Sequence, residues 1–344
     1  MTMDQDDHPR TEAELEEWLS RPGPGTAVQE ALARVPGDLV ILGAGGKMGP
    51  TLARMARRAL PAGRRVIAVS RFSSDAAAAG LREAGVEVHP CDLLDRAAVA
   101  ALPDADNVIF MAGQKFGTGD NPGATWMMNA VLPSIVAERY AGARTVVFST
   151  GCVYAPAPVG SGSREDDPLE PPGEYAWSCV ARERVFDHHG RQRETPTLLL
   201  RLNYAIDLRY GVLHDVASLV WRRQPVDLST GHVNVIWQGD ANARALMALA
   251  RAAVPPVVVN VTGRETVPVR WLAQRFGELL GREPSFSGAE QPTAWLADAG
   301  RSFNWFGPVA VSLEQMIQAT ANWLRAGGVS LGKPTHFQNR DGEF

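Results

Sequence analysis

Asp38-Leu-Val-Ile-Leu42 runs directly into Gly43-Ala-Gly-Gly46-Lys47-Met48-Gly49, and Pro50 to Leu60 continue in a helical pattern. No other feature of the chain constrains its fold as tightly. A short run that is apolar from Leu39 to Leu42 reads as a buried strand. Glycines let the backbone turn sharply behind it and come close to a ligand, and the following helix offers unpaired N–H groups and the positive end of its dipole. This strand–turn–helix predicts a pyrophosphate cradle at Gly43, Gly46, Lys47, Met48 and Gly49. The plain alternative is a tight turn with no ligand.

The pattern then repeats. Strand-like runs at 65–69, 86–89, 107–111, 145–149 and 197–201 alternate with helical segments at 74–84, 94–102, 126–140 and 175–188. Short buried strands alternating with helices predict an α/β fold, a Rossmann-type doubly wound parallel sheet. Residues 155–173 read as a loop, and the alternation weakens beyond 203. Strands at 233–237 and 257–261 and helices at 241–252, 268–280 and 312–326 suggest a smaller C-terminal substrate lobe. The expected organisation is a helical extension over 1–36, a dinucleotide-binding domain over 37–202, and a lobe with a tail over 203–344. In the extension, residues 1–10 are expected to lack order. Thr11-Glu-Ala-Glu14 and Thr26-Ala-Val-Gln29 read as capping boxes, and His188-His189 before Gly190 as a helix end.

Composition excludes several classes. A net charge of −4 gives no reason to expect nucleic acid or an anionic membrane. No apolar stretch is long enough to span a bilayer, and the acidic start lacks the apolar core of a secretory signal. Cys91, Cys152 and Cys179 form neither a disulfide framework nor a zinc spacing, so a reducing, cytoplasmic setting and no metal are expected. Lysine occurs only at 47, 115 and 333, against 31 arginines, which singles out those three positions.

The end of the second strand should meet the adenosine ribose. An acidic residue there would hold both ribose hydroxyls; this chain has Ser70-Arg71, which suits the 2′-phosphate of NADP, with NAD as the alternative.

Taken together, the pattern resembles the extended short-chain dehydrogenase/reductase superfamily, and within it the NAD(P)-dependent epimerase/dehydratase family. Gly43, Gly46 and Gly49 match that family's GxxGxxG. Asp92-Leu93 resembles its adenine-binding Asp-Leu pair. Met111-Ala112-Gly113-Gln114-Lys115 is similar to the loop in which a lysine contacts the cofactor, and Asn129 matches an asparagine of the next helix. Phe148-Ser-Thr150-Gly-Cys-Val-Tyr154 puts Thr150 at the catalytic Ser/Thr position, and Tyr175 falls where the catalytic tyrosine is expected. The acidic loop at Glu165-Asp166, Glu183, Arg201-Leu-Asn203 and Gln238-Gly-Asp240 also resemble family segments. The resemblance implies oxidoreduction, or epimerisation through a ketone, of a hydroxylated small molecule such as a sugar or sugar nucleotide. The expected assembly is a homodimer.

One departure matters. The family's Tyr-x-x-x-Lys reads Tyr175-Ala-Trp-Ser-Cys179 here. The lysine lowers the tyrosine pKa, and a thiol supplies no such charge. Three readings follow: Lys115 or Arg182 substitutes; Tyr175 works as a neutral donor; or the protein binds cofactor as a sensor or scaffold, or runs non-redox isomerase or lyase chemistry. Cys179, at the catalytic position, and Cys152 are candidate nucleophiles, or else small buried side chains. Arg209-Tyr210, His214-Asp215, His232, Trp126, Trp177 and Trp237 are candidates for the substrate pocket.

Overall fold

The computed structural model describes residues 8–23, 25–72, 74–115, 117 and 121–342. The first seven of the ten residues expected to lack order lie outside the described residues. Seven parallel strands form one sheet: β1 (Leu39–Leu42), β2 (Val66–Ser70), β3 (Glu87–Pro90), β4 (Asn107–Phe110), β5 (Arg144–Thr150), β6 (Thr197–Leu202) and β7 (Val257–Val261). Their spatial order is β7-β6-β5-β4-β1-β2-β3. The order reverses between β1 and β4, and a ligand crevice opens above the carboxyl ends at such a switch point. Every residue of β1 is buried, because helices cover both faces of the sheet.

The helices of the chain are α1 (Glu12–Leu19), α2 (Ala27–Ala33), α3 (Gly49–Ala59), α4 (Asp75–Glu83), α5 (Arg96–Ala100), α6 (Pro122–Trp126), α7 (Leu132–Arg139), α8 (Gly173–Gln192), α9 (Val212–Trp221), α10 (Gln238–Ala248), α11 (Val269–Leu280), α12 (Gly300–Phe306) and α13 (Leu313–Arg325). Leu52, Met55 and Leu246 pack on one face of the sheet with Val28 of α2; Leu132, Val136 and Phe186 pack on the other. The lobe has its own core from α9, α11 and α13, including Val216, Phe276 and Ile317. The N-terminal extension divides between these cores. Helix α1 buries Leu15, Trp18 and Leu19 in the lobe, with Trp18 stacked 4.4 Å from Trp237.

Several expectations need correction. Thr11 does form a capping box with Glu14, but Thr26 does not cap α2. Its backbone is turned (ψ 7°) rather than extended, so its hydroxyl donates to Glu30 instead of accepting from the first helical turn. Helix α8 does not end at His188-His189. It continues to Gln192, and Gly190 is a packing position, where a Cβ would stand 2.6 Å from Pro256. The helix expected over 126–140 is interrupted by a wide turn at Met127–Val131. The run at 233–237 splits into two short strands with different partners, Val267–Pro268 and Ala205–Ile206. Helices α9 and α12 lie outside the helical segments read from the sequence. Among the described residues, no helix is long and apolar enough to cross a membrane.

Candidate active site

The turn after β1 is built by exclusion of side chains. Gly43 holds φ +90°, and a Cβ there would lie 2.5 Å from the Ala112 nitrogen, so the turns after β1 and β4 can touch only with glycine at 43. A Cβ on Gly49 would lie 2.3 Å from the Ala44 carbonyl oxygen. Gly45 faces Ser70 at the end of β2, where a Cβ would sit 2.7 Å from Oγ. Arg71, the next residue, is exposed. Behind the turn, Thr51 Oγ1 donates to the Met48 carbonyl and accepts from Gln238 and Asn242, which ties α3 to α10. This cradle, open to a backbone-hugging anion at the start of α3, fits a dinucleotide pyrophosphate.

A cavity of about 330 Å³ adjoins the cradle. Its lining brings together Gly43, Gly46, Lys47 and Met48 from the first turn, Gly113 and Lys115 from the loop after β4, and Thr150, Cys152 and Tyr175. The lobe side adds Tyr204, Tyr210 and Val212. Thr150 ends β5, and its Oγ1 accepts from the Cys152 N–H, turning the chain into a short helical turn.

Asn129 does not reach the cavity. It is fully buried in the wide turn before α7, where it accepts from Gln114 N–H and the Arg182 guanidinium and donates to the Gln114 carbonyl and to Ser178. It therefore fixes the Lys115 loop against α8. Asp92 also lies outside the cavity; it is exposed, with Oδ1 accepting from Leu94 N–H beside the buried Leu93.

Tyr175 and Cys179 lie one turn apart on α8 and share a hydrogen bond. Burial, reinforced by Cys179 and Cys152, pushes the Tyr175 phenol well above its usual 10, and the pull of Arg182 does not offset this. Burial likewise raises the Cys179 thiol. Cys179 is fully buried and does not line the cavity; neither ring nor thiol is poised as an anion. Arg182 cannot stand in as a mobile cation. Its guanidinium donates to the Phe148 carbonyl and to Asn129 and lies over the Phe110 ring.

Lys115 is placed differently. It lines the cavity near both Cys152 and Cys179, and burial holds its pKa below the usual lysine range. Lys47 Nζ sits 3.0 Å above the Tyr210 ring, a cation–π contact. Burial first, then Lys115 and Lys333, lower its pKa to about 7, against the opposing pull of Asp215 and Asp207.

Beneath the cavity, Glu183 and Arg201 form a buried two-bond ion pair at 2.7 and 2.9 Å. Ser149 donates to the same carboxylate, and Arg201 donates to the Tyr154 hydroxyl, which donates to Asn260. This network locks β5, β6, β7 and α8 together.

The other candidates separate clearly. Tyr210 lines the cavity, while Arg209 pairs with Asp207 and with Glu16 of α1. His214 is buried against the Leu208 carbonyl. Trp126 donates to Glu174 at the start of α8, Trp177 is exposed and Trp237 is core. His232 is half-buried in a short strand of the lobe and is not part of the cavity lining. Sequence reasoning missed Tyr204, Val212 and Thr335 as lining residues. For Thr335 the only signal was a polar and aromatic tail following the last helix.

Residues 39–206 match the family model described as the NAD dependent epimerase/dehydratase family. No curated protein matches the chain in sequence. Among solved structures, a UDP-glucose 4-epimerase from Thermotoga maritima superposes with a TM-score of 0.71 at 17% identity, covering 84% of this chain and 99% of that one. The dTDP-glucose 4,6-dehydratase of Streptomyces venezuelae gives 0.70 at 18% identity, with coverage of 84% and 97%. The UDP-glucose 4-epimerase of Thermus thermophilus, in complex with NAD, gives 0.67 at 20% identity, with coverage of 84% and 99%. These likenesses carry the fold.

Proposed function

We propose that this chain, which belongs through residues 39–206 to the NAD-dependent epimerase/dehydratase family, interconverts a carbinol and a ketone on a hydroxylated small molecule. The observation that carries the reading is one cavity that joins the glycine cradle to Thr150, Tyr175 and Lys115. A nicotinamide bound there would supply hydride exchange at the carbon bearing the reacting oxygen. The protein's share is positioning and polarisation. Thr150 Oγ1 and the Tyr175 hydroxyl bracket that oxygen. Because the resting phenol is held protonated, Tyr175 meets the ketone as a neutral donor: it gives its proton to the oxygen as the hydride arrives at carbon, and takes that proton back in the reverse direction. Lys115 brings to the cavity the amine that Cys179 does not, although burial disfavours its charged form. Gly43, Gly46, Met48 and Gly49 cradle the pyrophosphate, the Ala112–Gly113 turn flanks it, and Asp92 and Leu93 border the adenine.

Ser70 and the exposed Arg71 favour NADP, through a charge-assisted contact to the 2′-phosphate. Fluorescence titration with NADPH and NADH tests this. NADPH should bind about tenfold more tightly, and Arg71→Ala should erase the difference. Equal affinities in the wild type would refute the preference. Failure of both nucleotides to bind would refute the functional reading.

A further inference from the structure

The segment after α13 is part of the same site. Leu331 N–H donates to the Arg209 carbonyl, and Ser330 meets His214 at 3.0 Å. Thr335 donates from both its N–H (2.7 Å) and its hydroxyl (2.6 Å) to Asp215 on α9. Phe337 is buried in the lobe core. Arg340 donates to the Thr293 carbonyl, and Gly342 ends so close to Pro172 that a Cβ would lie 2.3 Å from its carbonyl oxygen. The strap thus runs from α13 across α9 to the start of α8, the helix that carries Tyr175. Thr335, a buried residue of the strap, lines the cavity.

Among the described residues, the charged side chains that line the cavity are two of the chain's three lysines, with no aspartate or glutamate. The third, Lys333, lies on the strap and near enough to act on Lys47. Lys47 arises from the glycine turn, but its ammonium lies over Tyr210; besides Lys115 it interacts with Lys333, Asp215 and Asp207 of the C-terminal part. It therefore points to the substrate side rather than along the helix that would take the pyrophosphate. At about 330 Å³ the cavity is at the small end for a ligand site, and the reactive end of a dinucleotide must share it.

Resting on the reading above, we propose that the strap Val329–Gly342 is the closing wall of the active site and that, with Lys47, it commits the site to a compact hydroxylated carboxylate, shutting out a nucleoside-diphosphate sugar. The carboxylate would lie against Lys47, and its hydroxyl-bearing carbon against Thr150 and Tyr175.

Thermal shift in saturating NADP+ tests the proposal with a panel of six-carbon aldonates, the matching uncharged alditols and UDP-glucose. At least one aldonate should stabilise the protein saturably, and the alditols and UDP-glucose should not. Lys47→Gln should weaken that aldonate at least about tenfold, the loss of one charge-assisted hydrogen bond, while NADP+ affinity stays within about twofold. A chain ending at Leu331 should lose the aldonate response and gain one to UDP-glucose. If it does not fold, Thr335→Val in the full chain should still weaken the aldonate alone. Stabilisation by UDP-glucose in the wild type, by no aldonate, or a Lys47→Gln defect confined to NADP+ overturns the proposal. Direct NADP+ titration of the same samples separates this from failure of the dinucleotide reading, in which NADP+ itself does not bind.

Discussion

Replacing Lys47 by methionine should stabilise the protein in mildly acidic solution, and the gain should fade as the pH rises. Burial, with Lys115 and Lys333 nearby, brings this ammonium from its ordinary 10.5 to about 7. The unfolded chain keeps the ordinary value. Between the two, the unfolded state holds a proton that the folded state does not, so wild-type stability climbs with pH across that interval. Below about pH 7 the cost of burying the charge is present in full. Without screening, the shift corresponds to about 5 kcal/mol. The side chain is only partly buried, and solvent screening reduces this to about 2 kcal/mol. For 344 residues that is about 3 °C in Tm. Scanning calorimetry of both proteins at pH 6.5 and 9.5 is the assay. The variant's advantage should be about 3 °C at the lower pH and roughly a third of that at the higher. An offset equal at both pH values, or one that grows toward alkaline pH, refutes this placement of the Lys47 ammonium.

Four further outcomes are expected. Gly49→Val drives a side chain onto the Ala44 carbonyl and should abolish dinucleotide binding in a fluorescence titration, whereas full binding would mean the turn is not the cradle. Glu183→Ala strands the buried Arg201 guanidinium and should cost about 3–5 kcal/mol, read as a fall of roughly 5 °C in Tm. Tyr175→Phe should lower turnover by about 10²–10⁴ with cofactor affinity unchanged, and the wild-type rate profile should show no limb from phenol ionisation below about pH 10. Cys179→Lys restores the familiar spacing but buries an unpaired cation beside Arg182. It should destabilise the protein by about 2 kcal/mol or more without raising activity, and a gain in rate would show that Lys115 does not fill the role.

The sheet was legible because its signal is local. Leu39–Leu42 is apolar throughout since both faces are covered, and the glycines that follow cannot be replaced where Gly43 meets Ala112. The proposed cofactor half of the site rests on the same segment. What the sequence hid depends on long-range contact. Asn129 reads as a cofactor residue and is a buried brace, because its partners Arg182 and Ser178 lie some fifty residues away. Arg182 reads as a stand-in cation and is spent on the Phe148 carbonyl. Gly190 reads as a helix stop, yet it marks the close approach of Pro256. Thr335 belongs to the site only because Asp215, 120 residues earlier, holds the strap in place. No periodicity or turn chemistry announces such a pairing.

A crystal structure grown with NADP+ tests the central claim most directly. The account predicts the pyrophosphate at the start of α3, on the glycine turn, and the nicotinamide ring in the cavity beside Thr150 and Tyr175, with Lys115 alongside. A dinucleotide bound with its nicotinamide outside that cavity, or no dinucleotide on the turn at all, would contradict it.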